Sequence, residues 1–505
     1  MISIRMTRLT TQRTFLAVLF LGLFTMAARN ATDPDLWWHL KTGEYIAAHK
    51  NVPHTDPFSY TRAGEPWVAH EWLTELLLYQ LQRATGFTGL ILIFAAVIAT
   101  AFLLLYLRCG PAPYIAGLCT LCAAWATAPV WGVRPQILSL LLTSLWLLLL
   151  ERSERSPRLL YWTLPLTLLW VNLHAGFALG LVLSALFLAG AVIERALRRP
   201  ESNTPWRISA LVLLLDLLIV PLNPNGLRLF SYPVETLHSA AMRNYIAEWA
   251  SANFHHIEHW PFLLIVLATF ATLSWSRLPL RPRDLLLLLV SLFAGLTSVR
   301  MMPVFVLIAV PLISRRLGAW PRTSPQPRRL LRASLHAAII LAMAAFACVH
   351  ITEVVQRQPD VEAQRFPSRA VAFLQAHPPV GPIFNHYDWG GYLIWKLYPS
   401  TLVFIDGRAD LYGEPLFHDF ADAYQLQGPW RQILERWRIQ TVLVPSNSAI
   451  ATGLRAAPGW TVAYQDSQAI ILHAIPRDAG FLSGHDFSLL ACPEQAKARR
   501  RDHPR

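Results

Sequence analysis

Long apolar runs decide what this chain can fold into. Stretches such as Leu179–Ala191 and Leu285–Ala294 recur along it up to about residue 350. A run of this kind either crosses a bilayer or fills the core of a large protein. Composition separates the two: 54% of the 505 residues are hydrophobic and only 15% are charged, too few to solvate a soluble protein of this size. The runs give about eleven spans, near 14–28, 89–107, 112–128, 136–150, 159–171, 175–193, 208–222, 261–276, 284–298, 302–314 and 333–350. The expected fold class is a polytopic α-helical membrane protein with a C-terminal exterior α/β domain.

The distribution of basic residues tests that count. Segments 1–13, 108–111, 151–158, 194–207, 276–283 and 315–332 carry 20 Lys and Arg in 65 residues. The alternate segments 29–88, 129–135, 171–175, 223–260 and 299–302 carry 9 in 114. The positive-inside rule then places the N-terminus in the cytoplasm, the chain in the cell (inner) membrane, and residues from 351 on in the periplasm or its equivalent. The net charge of +13 is accounted for in this way, with the bilayer and not a nucleic acid as partner. The first run, preceded by Arg5, Arg8 and Arg13, reads as an uncleaved anchor. Cys119 and Cys122 have C-x-x-C spacing but lie in an apolar stretch, and read as small buried residues.

The chain divides into a membrane domain, 1–350, an exterior domain, 351–475, and an irregular basic tail, 476–505. The membrane domain carries two large exterior loops, 29–88 and 223–260. Loop 29–88 holds two amphipathic helices, one with Leu36, Leu40, Gly43 and Ala47 on one face, the other with Leu73, Leu76, Leu77 and Leu81. In the exterior domain, Ile383–Asn385, Leu402–Asp406, Thr441–Pro445, Thr461–Tyr464 and Ala469–His473 read as strands.

Asp33-Pro34-Asp35 follows the first span directly. Capping explains such a tripeptide well: Asp at the helix start, Pro in the first turn. Two carboxylates at a membrane–water boundary can also take a proton from a nucleophile or bind a divalent cation, Mg or Mn. The same loop adds Trp37, Trp38, His39, Asp56, His70 and Glu71. Arg134, Asn172, His174 and Arg300 lie at exterior ends of spans, with Glu248 in the second large loop. Snorkelling is the plain reading of such arginines. Two isolated arginines against the charge bias also suit a buried anion, and guanidinium binds phosphate bidentately. His255, Glu258 and His259 spell a zinc-peptidase pattern but read as a solvated loop. Tyr387-Asp388-Trp389-Gly390 and Asp406-Gly407-Arg408 follow expected strands, where α/β domains commonly place ligand loops.

These residues resemble a known superfamily, the GT-C integral membrane glycosyltransferases that use polyprenyl-linked sugar donors. Asp33-Pro34-Asp35 matches their first-loop carboxylate motif. The stretch from Asp33 through Gly43 to Asp56-Pro57 looks like the first loop of oligosaccharyltransferase catalytic subunits. Tyr387-Asp388-Trp389-Gly390 is similar, in altered order, to the acceptor motif of their exterior domain. Pro129-Val130-Trp131-Gly132-Val133-Arg134, where those enzymes carry a second acidic pair, has no acid.

The resemblance implies transfer of a sugar from a polyprenyl-phosphate-linked donor to an exterior glycan, lipid or protein acceptor. Asp33 and Asp35 would be catalytic and would be the ligands of any cation. Arg134 and Arg300 would hold the donor phosphate. His39, Asp56, His70, Glu71, Asn172, His174 and Glu248 would line the cleft. Tyr387, Asp388, Trp389, Asp406 and Arg408 would meet the acceptor. The alternative is a non-catalytic membrane protein that binds a carrier lipid or saccharide in an envelope assembly. A transporter ranks third, with Asp216 as its one intramembrane acid.

Overall fold

The computed structural model describes residues 10–198, 205–319 and 333–475. The expected basic tail, 476–505, lies outside them, as do parts of the basic segments 1–13, 194–207 and 315–332. The membrane part contains α1 (Thr11–Ala27), α2 (Leu36–His49), α3 (Trp72–Arg108), α4 (Pro113–Thr127), α5 (Gln136–Ser153), α6 (Thr163–Leu173) and α7 (Phe177–Ala196). It continues with α8 (Trp206–Ile219), α9 (Arg228–His238), α10 (Ala240–Tyr245), α11 (Trp260–Trp275), α12 (Pro282–Thr297), α13 (Met302–Gly318) and α14 (Ala333–Arg365). Among the described residues, seven helical segments are long and apolar enough to cross a membrane. Others, such as α6 with 11 residues and α8 with 14, are shorter than a full span.

α13 is the central post, buried along nearly its whole length from Met302 to Ile313. Exposed Leu, Val and Phe on α8, α11, α12 and α14 form an outer apolar surface, as expected where hydrocarbon is the solvent. α3 joins the second loop helix to a span through a break at Gly86, whose positive φ of 65° suits glycine.

Five of the basic segments meet at one end of the bundle. Arg108 and Arg315 share Glu151, at 2.8 and 2.9 Å. Arg281 binds Glu194 through two nitrogens, at 3.1 and 2.8 Å, and Glu154 through a third, at 2.7 Å. Arg283 also reaches Glu154. Asp216 accepts from Thr163 and Thr167, at 2.8 and 2.6 Å, and ties α8 to α6.

α14 runs without interruption from the bundle into the C-terminal domain, the one expected to be exterior, so the expected boundary at residue 350 falls within one helix. That domain adds α15 (Ser368–Ala376), α16 (Gly390–Leu397), α17 (Ala409–Gln425), α18 (Trp430–Arg436) and α19 (Ala449–Ala456). Its sheet comprises β1 (Ile383–Asn385), β2 (Thr441–Pro445), β3 (Trp460–Gln465) and β4 (Ala469–Ala474), in the order β1-β2-β4-β3. β1 and β2 are parallel and the other pairs antiparallel. Alternate side chains face opposite sides. Phe384, Val442, Val444, Ile470 and Leu472 pack in the domain's own core, while Ile383, Leu443 and Ile471 join the core continuous with the membrane part.

The expected strand Leu402–Asp406 is not part of this sheet. Val403 instead bridges Ser59 of the first exterior loop, and the Asn385 amide satisfies Phe404 N–H and the Ile405 carbonyl at 2.9 and 2.8 Å. With its backbone groups paired elsewhere, the segment has no ladder to join.

Candidate functional site

At the end of the bundle opposite the arginine network, the chain leaving α1 turns at Asp33-Pro34-Asp35 to start α2. The side chain of Asp35 makes no cap bond to the helix. Asp33 Oδ1 accepts the Asp35 N–H at 2.9 Å, a local turn bond. The exterior domain presses on this turn at two glycines: a Cβ at Gly391 would crowd the Pro34 carbonyl, and one at Gly407 would overlap Asp35 Oδ1. Trp38 Nε1 donates to Asp35 Oδ1 at 3.1 Å.

Arg134, from the turn between α4 and α5, inserts among three acids. Its Nε lies 3.0 Å from Asp33 Oδ2 and one terminal nitrogen 3.3 Å from Asp35 Oδ2, while the other pairs with Glu248. Glu248 comes from the turn after α10, held by Ser298 Oγ donating to the Glu248 carbonyl at 3.0 Å. Arg300, in the turn before α13, lies 3.9 Å from Glu248 Oε2 and 5.5 Å above the Trp249 ring. Its side chain is 25% exposed, and its contacts are longer than those of Arg134.

From Arg300 the polar chain continues inward. A terminal nitrogen lies 3.5 Å from His174 Nε2, which lies 3.4 Å from Glu71 Oε1. Gly176 N–H donates to His174 Nδ1, which makes Nδ1 the acceptor and leaves the ring proton on Nε2, toward Glu71. His70 Nε2 meets Glu71 Oε1 at 2.9 Å and its Nδ1 meets the Val68 carbonyl at 3.2 Å. His39 Nδ1 lies 3.4 Å from Glu71 Oε2 and 3.2 Å from Glu75 Oε1.

Burial sets the charges. It pushes Asp33 above the usual carboxylate range and Asp35 up to about 7, with Arg134 opposing both shifts. Burial also drives His39 and His174 down to about 3, so both imidazoles are neutral. Burial alone would lower His70 and raise Glu71; their mutual attraction reverses both, so His70 is raised and Glu71 lowered from their ordinary values.

The structure thus brings Asp33, Asp35, Arg134, Glu248 and Arg300 into one group, with His174, Glu71, His70 and His39 directly beside it. Asn172 lies beside it: it accepts from Trp72 Nε1 at 2.8 Å and edges an apolar groove of about 450 Å³ lined by Trp72, Leu73, Leu168, Leu169 and Leu222. Tyr387 and Asp388 are half-buried, and Asp35 lies close enough to Tyr387 to help raise its phenol. Trp389 is buried.

Asp56, Asp406 and Arg408 require a correction. Arg408 is 1% exposed, binding Asp406 at 2.8 and 2.7 Å and Asp56 at 2.6 Å, with Tyr412 closing the group. A fully buried triad offers no surface to an acceptor and lines no cleft; it fastens the first exterior loop to the exterior domain. His259 is buried, with Nδ1 on the Asn253 carbonyl at 3.0 Å, and the His255–His259 pattern forms no cluster among the described residues.

The Asp33–Asp35 pair does not suit a divalent cation, because the Arg134 guanidinium already occupies the position between the carboxylates. Reading the sequence missed Glu75, whose signal was its four-residue spacing from Glu71 at a helix start. It also missed Tyr232, whose hydroxyl donates to Asp410 at 3.1 Å beside His70, a pairing made only by the fold.

No protein-family model and no curated protein matches this chain. Solved structures do. Archaeal oligosaccharyltransferase AglB from Archaeoglobus fulgidus, in complex with an inhibitory peptide and a dolichol-phosphate, matches with a TM-score of 0.54 and 11% identity, covering 85% of this chain and 69% of that one. ArnT from Cupriavidus metallidurans, bound to undecaprenyl phosphate, matches with a TM-score of 0.51 and 11% identity, covering 94% and 98%. The apo state of ArnT gives a TM-score of 0.50 at 12% identity, covering 91% and 96%. The chain therefore has the fold of these membrane proteins.

Proposed function

We propose that this chain, which shares its fold with AglB and ArnT, is a membrane glycosyltransferase that moves a sugar from a polyprenyl-phosphate-linked donor to an acceptor on the exterior side. The observation that carries this reading is Asp35: a carboxylate at the outer mouth, ordered on one oxygen by Trp38, 24% exposed and held near neutrality. A general base serves best when its pKa lies near the working pH.

In this reading the acceptor hydroxyl or amide gives its proton to Asp35 as its heteroatom bonds to the sugar's anomeric carbon. The bond from that carbon to the phosphate oxygen breaks, and the lipid phosphate leaves. Arg300 neutralises the charge that grows on it, since its guanidinium has the fewest close partners in the network. Arg134 moves from the expected phosphate role to a positioning one, because its nitrogens are committed to Asp33, Asp35 and Glu248. The groove beside Asn172 suits the apolar carrier chain. Tyr387 and Asp388 flank the Asp35 side and suit acceptor contact.

The same assignment puts the arginine network at the cytoplasmic face and the exterior domain in the periplasm. The test is mass spectrometry of lipid that co-purifies with the full chain. A glycosylated polyprenyl phosphate, reduced in Arg300→Ala, supports the proposal. Phospholipid alone, unchanged in the variant, contradicts it.

A further inference from the structure

Deeper than the Asp33–Asp35 turn, three buried side chains close on one another with donor atoms left over. We propose that His39, Glu71 and Glu75 form a binding site for one divalent transition-metal ion, zinc by the chemistry of the donor set, between α2 and α3. Their ligand atoms lie within 4.8 Å of one another. The residues are 3%, 7% and 1% exposed. Glu71 and Glu75 stand one turn apart at the start of α3, on the same face. Gly43 lets α2 approach at that level, because a Cβ there would overlap the Glu75 carbonyl.

The atoms do not satisfy each other. His70 and His174 both address Glu71 Oε1, which leaves Oε2 turned toward His39. Glu71 Oε2 and Glu75 Oε2 have no hydrogen-bond partner among the described residues. A single imidazole nitrogen, His39 Nδ1, faces both carboxylates, and one nitrogen carries at most one proton. A buried carboxylate oxygen left without a partner is costly. A dication accepting the lone pair of Nδ1 and one oxygen from each Glu removes that cost.

One imidazole and two carboxylates suit zinc, whereas magnesium prefers oxygen ligands and retained water. His70 and His174 would orient Glu71 from behind, as second partners of metal ligands do. The ion would clamp α2 to α3 and fix Glu71, whose other oxygen faces His70 and His174. The site stands independently of the transfer reading, so it can fail while that reading survives, and the reverse.

The test uses the full chain in detergent, with any histidine tag removed. Protein stripped with a chelator is dialysed against zinc chloride and its metal measured by mass spectrometry. The proposal expects about one zinc per chain, as for a preformed single site. It expects His39→Ala and Glu75→Gln each to weaken zinc binding at least about tenfold, and Asp33→Asn to leave it unchanged. Where a variant does not fold, the stripped wild type decides, since its melting temperature must rise with zinc concentration. No zinc above the buffer blank and no rise in melting temperature overturns the site. Wild-type zinc binding by Glu75→Gln, or loss of zinc in Asp33→Asn, overturns it equally.

Discussion

Arg408 and Arg134 each sit between carboxylates, and each links the first exterior loop to another part of the chain. Arg408 is sealed: Asp56 and Asp406 take its nitrogens, and Phe58 and Trp67 lie 5.2 and 4.7 Å from its centre. Arg134 is 13% exposed, and its partners Asp33, Asp35 and Glu248 are 11%, 24% and 28% exposed. The sealed group has no atom left to offer a ligand, so its contribution is to hold two parts of the molecule together. The open group keeps Asp35 within reach of solvent and touches Arg300 through Glu248. The same ion-pair chemistry thus supports different roles, and burial decides which.

The largest effect should come from breaking the sealed group. Arg408→Ala leaves two buried carboxylates unpaired, a loss of about 3–5 kcal/mol. We expect a large drop in melting temperature and poor recovery of monodisperse protein in detergent. Unchanged melting would mean that the triad is not what fastens the loop.

Arg300→Ala should leave melting nearly unchanged but weaken donor binding roughly 10–100-fold, the range for a hydrogen bond to a charged group. Donor titration of the purified protein checks this. Equal affinity in the variant would move the phosphate elsewhere.

The pH profile sharpens the contrast further. Asp35 is held up to about 7, above its ordinary value, by burial. As a base it must be ionised, so the transfer rate should rise with pH and level off above about 7, and Asp35→Asn should abolish that dependence. Stability has the opposite sign. A carboxylate whose folded pKa is raised favours folding most below its unfolded pKa, and that contribution is lost as pH rises toward 7. A rate that falls from pH 6 to 8 would exclude Asp35 as the base.

The smallest effect should be Asp33→Asn on stability. Arg134 keeps two carboxylates and the amide oxygen can still accept the Asp35 N–H, so the cost should be about 1 kcal/mol. A collapse like that of Arg408→Ala would place Asp33 among the structural ion pairs.

The sequence made some of this legible. Low charge and apolar runs exposed the membrane helices, and the sidedness of Lys and Arg marked Arg134 and Arg300 as exceptions to be explained. Asp33-Pro34-Asp35 stood out because it follows a span directly. Other features depended on contacts between distant residues. Arg408 reaches Asp56 across 352 positions, so its sealed state had no local signature. Leu402–Asp406 has strand-forming residues, but Asn385 and the first exterior loop take its backbone bonds. Gly391 and Gly407 meet Pro34 and Asp35, more than 350 positions away, so nothing near them in the chain signals those contacts.

The most direct test of the open cluster as the reacting centre is the transfer rate of Asp35→Asn. It would be measured as consumption of the co-purified lipid-linked sugar by protein in vesicles, with melting temperature recorded on the same sample. The account predicts a loss of about 10²–10⁴-fold in rate, with melting within a few degrees of wild type. A variant that consumes donor at the wild-type rate would contradict it.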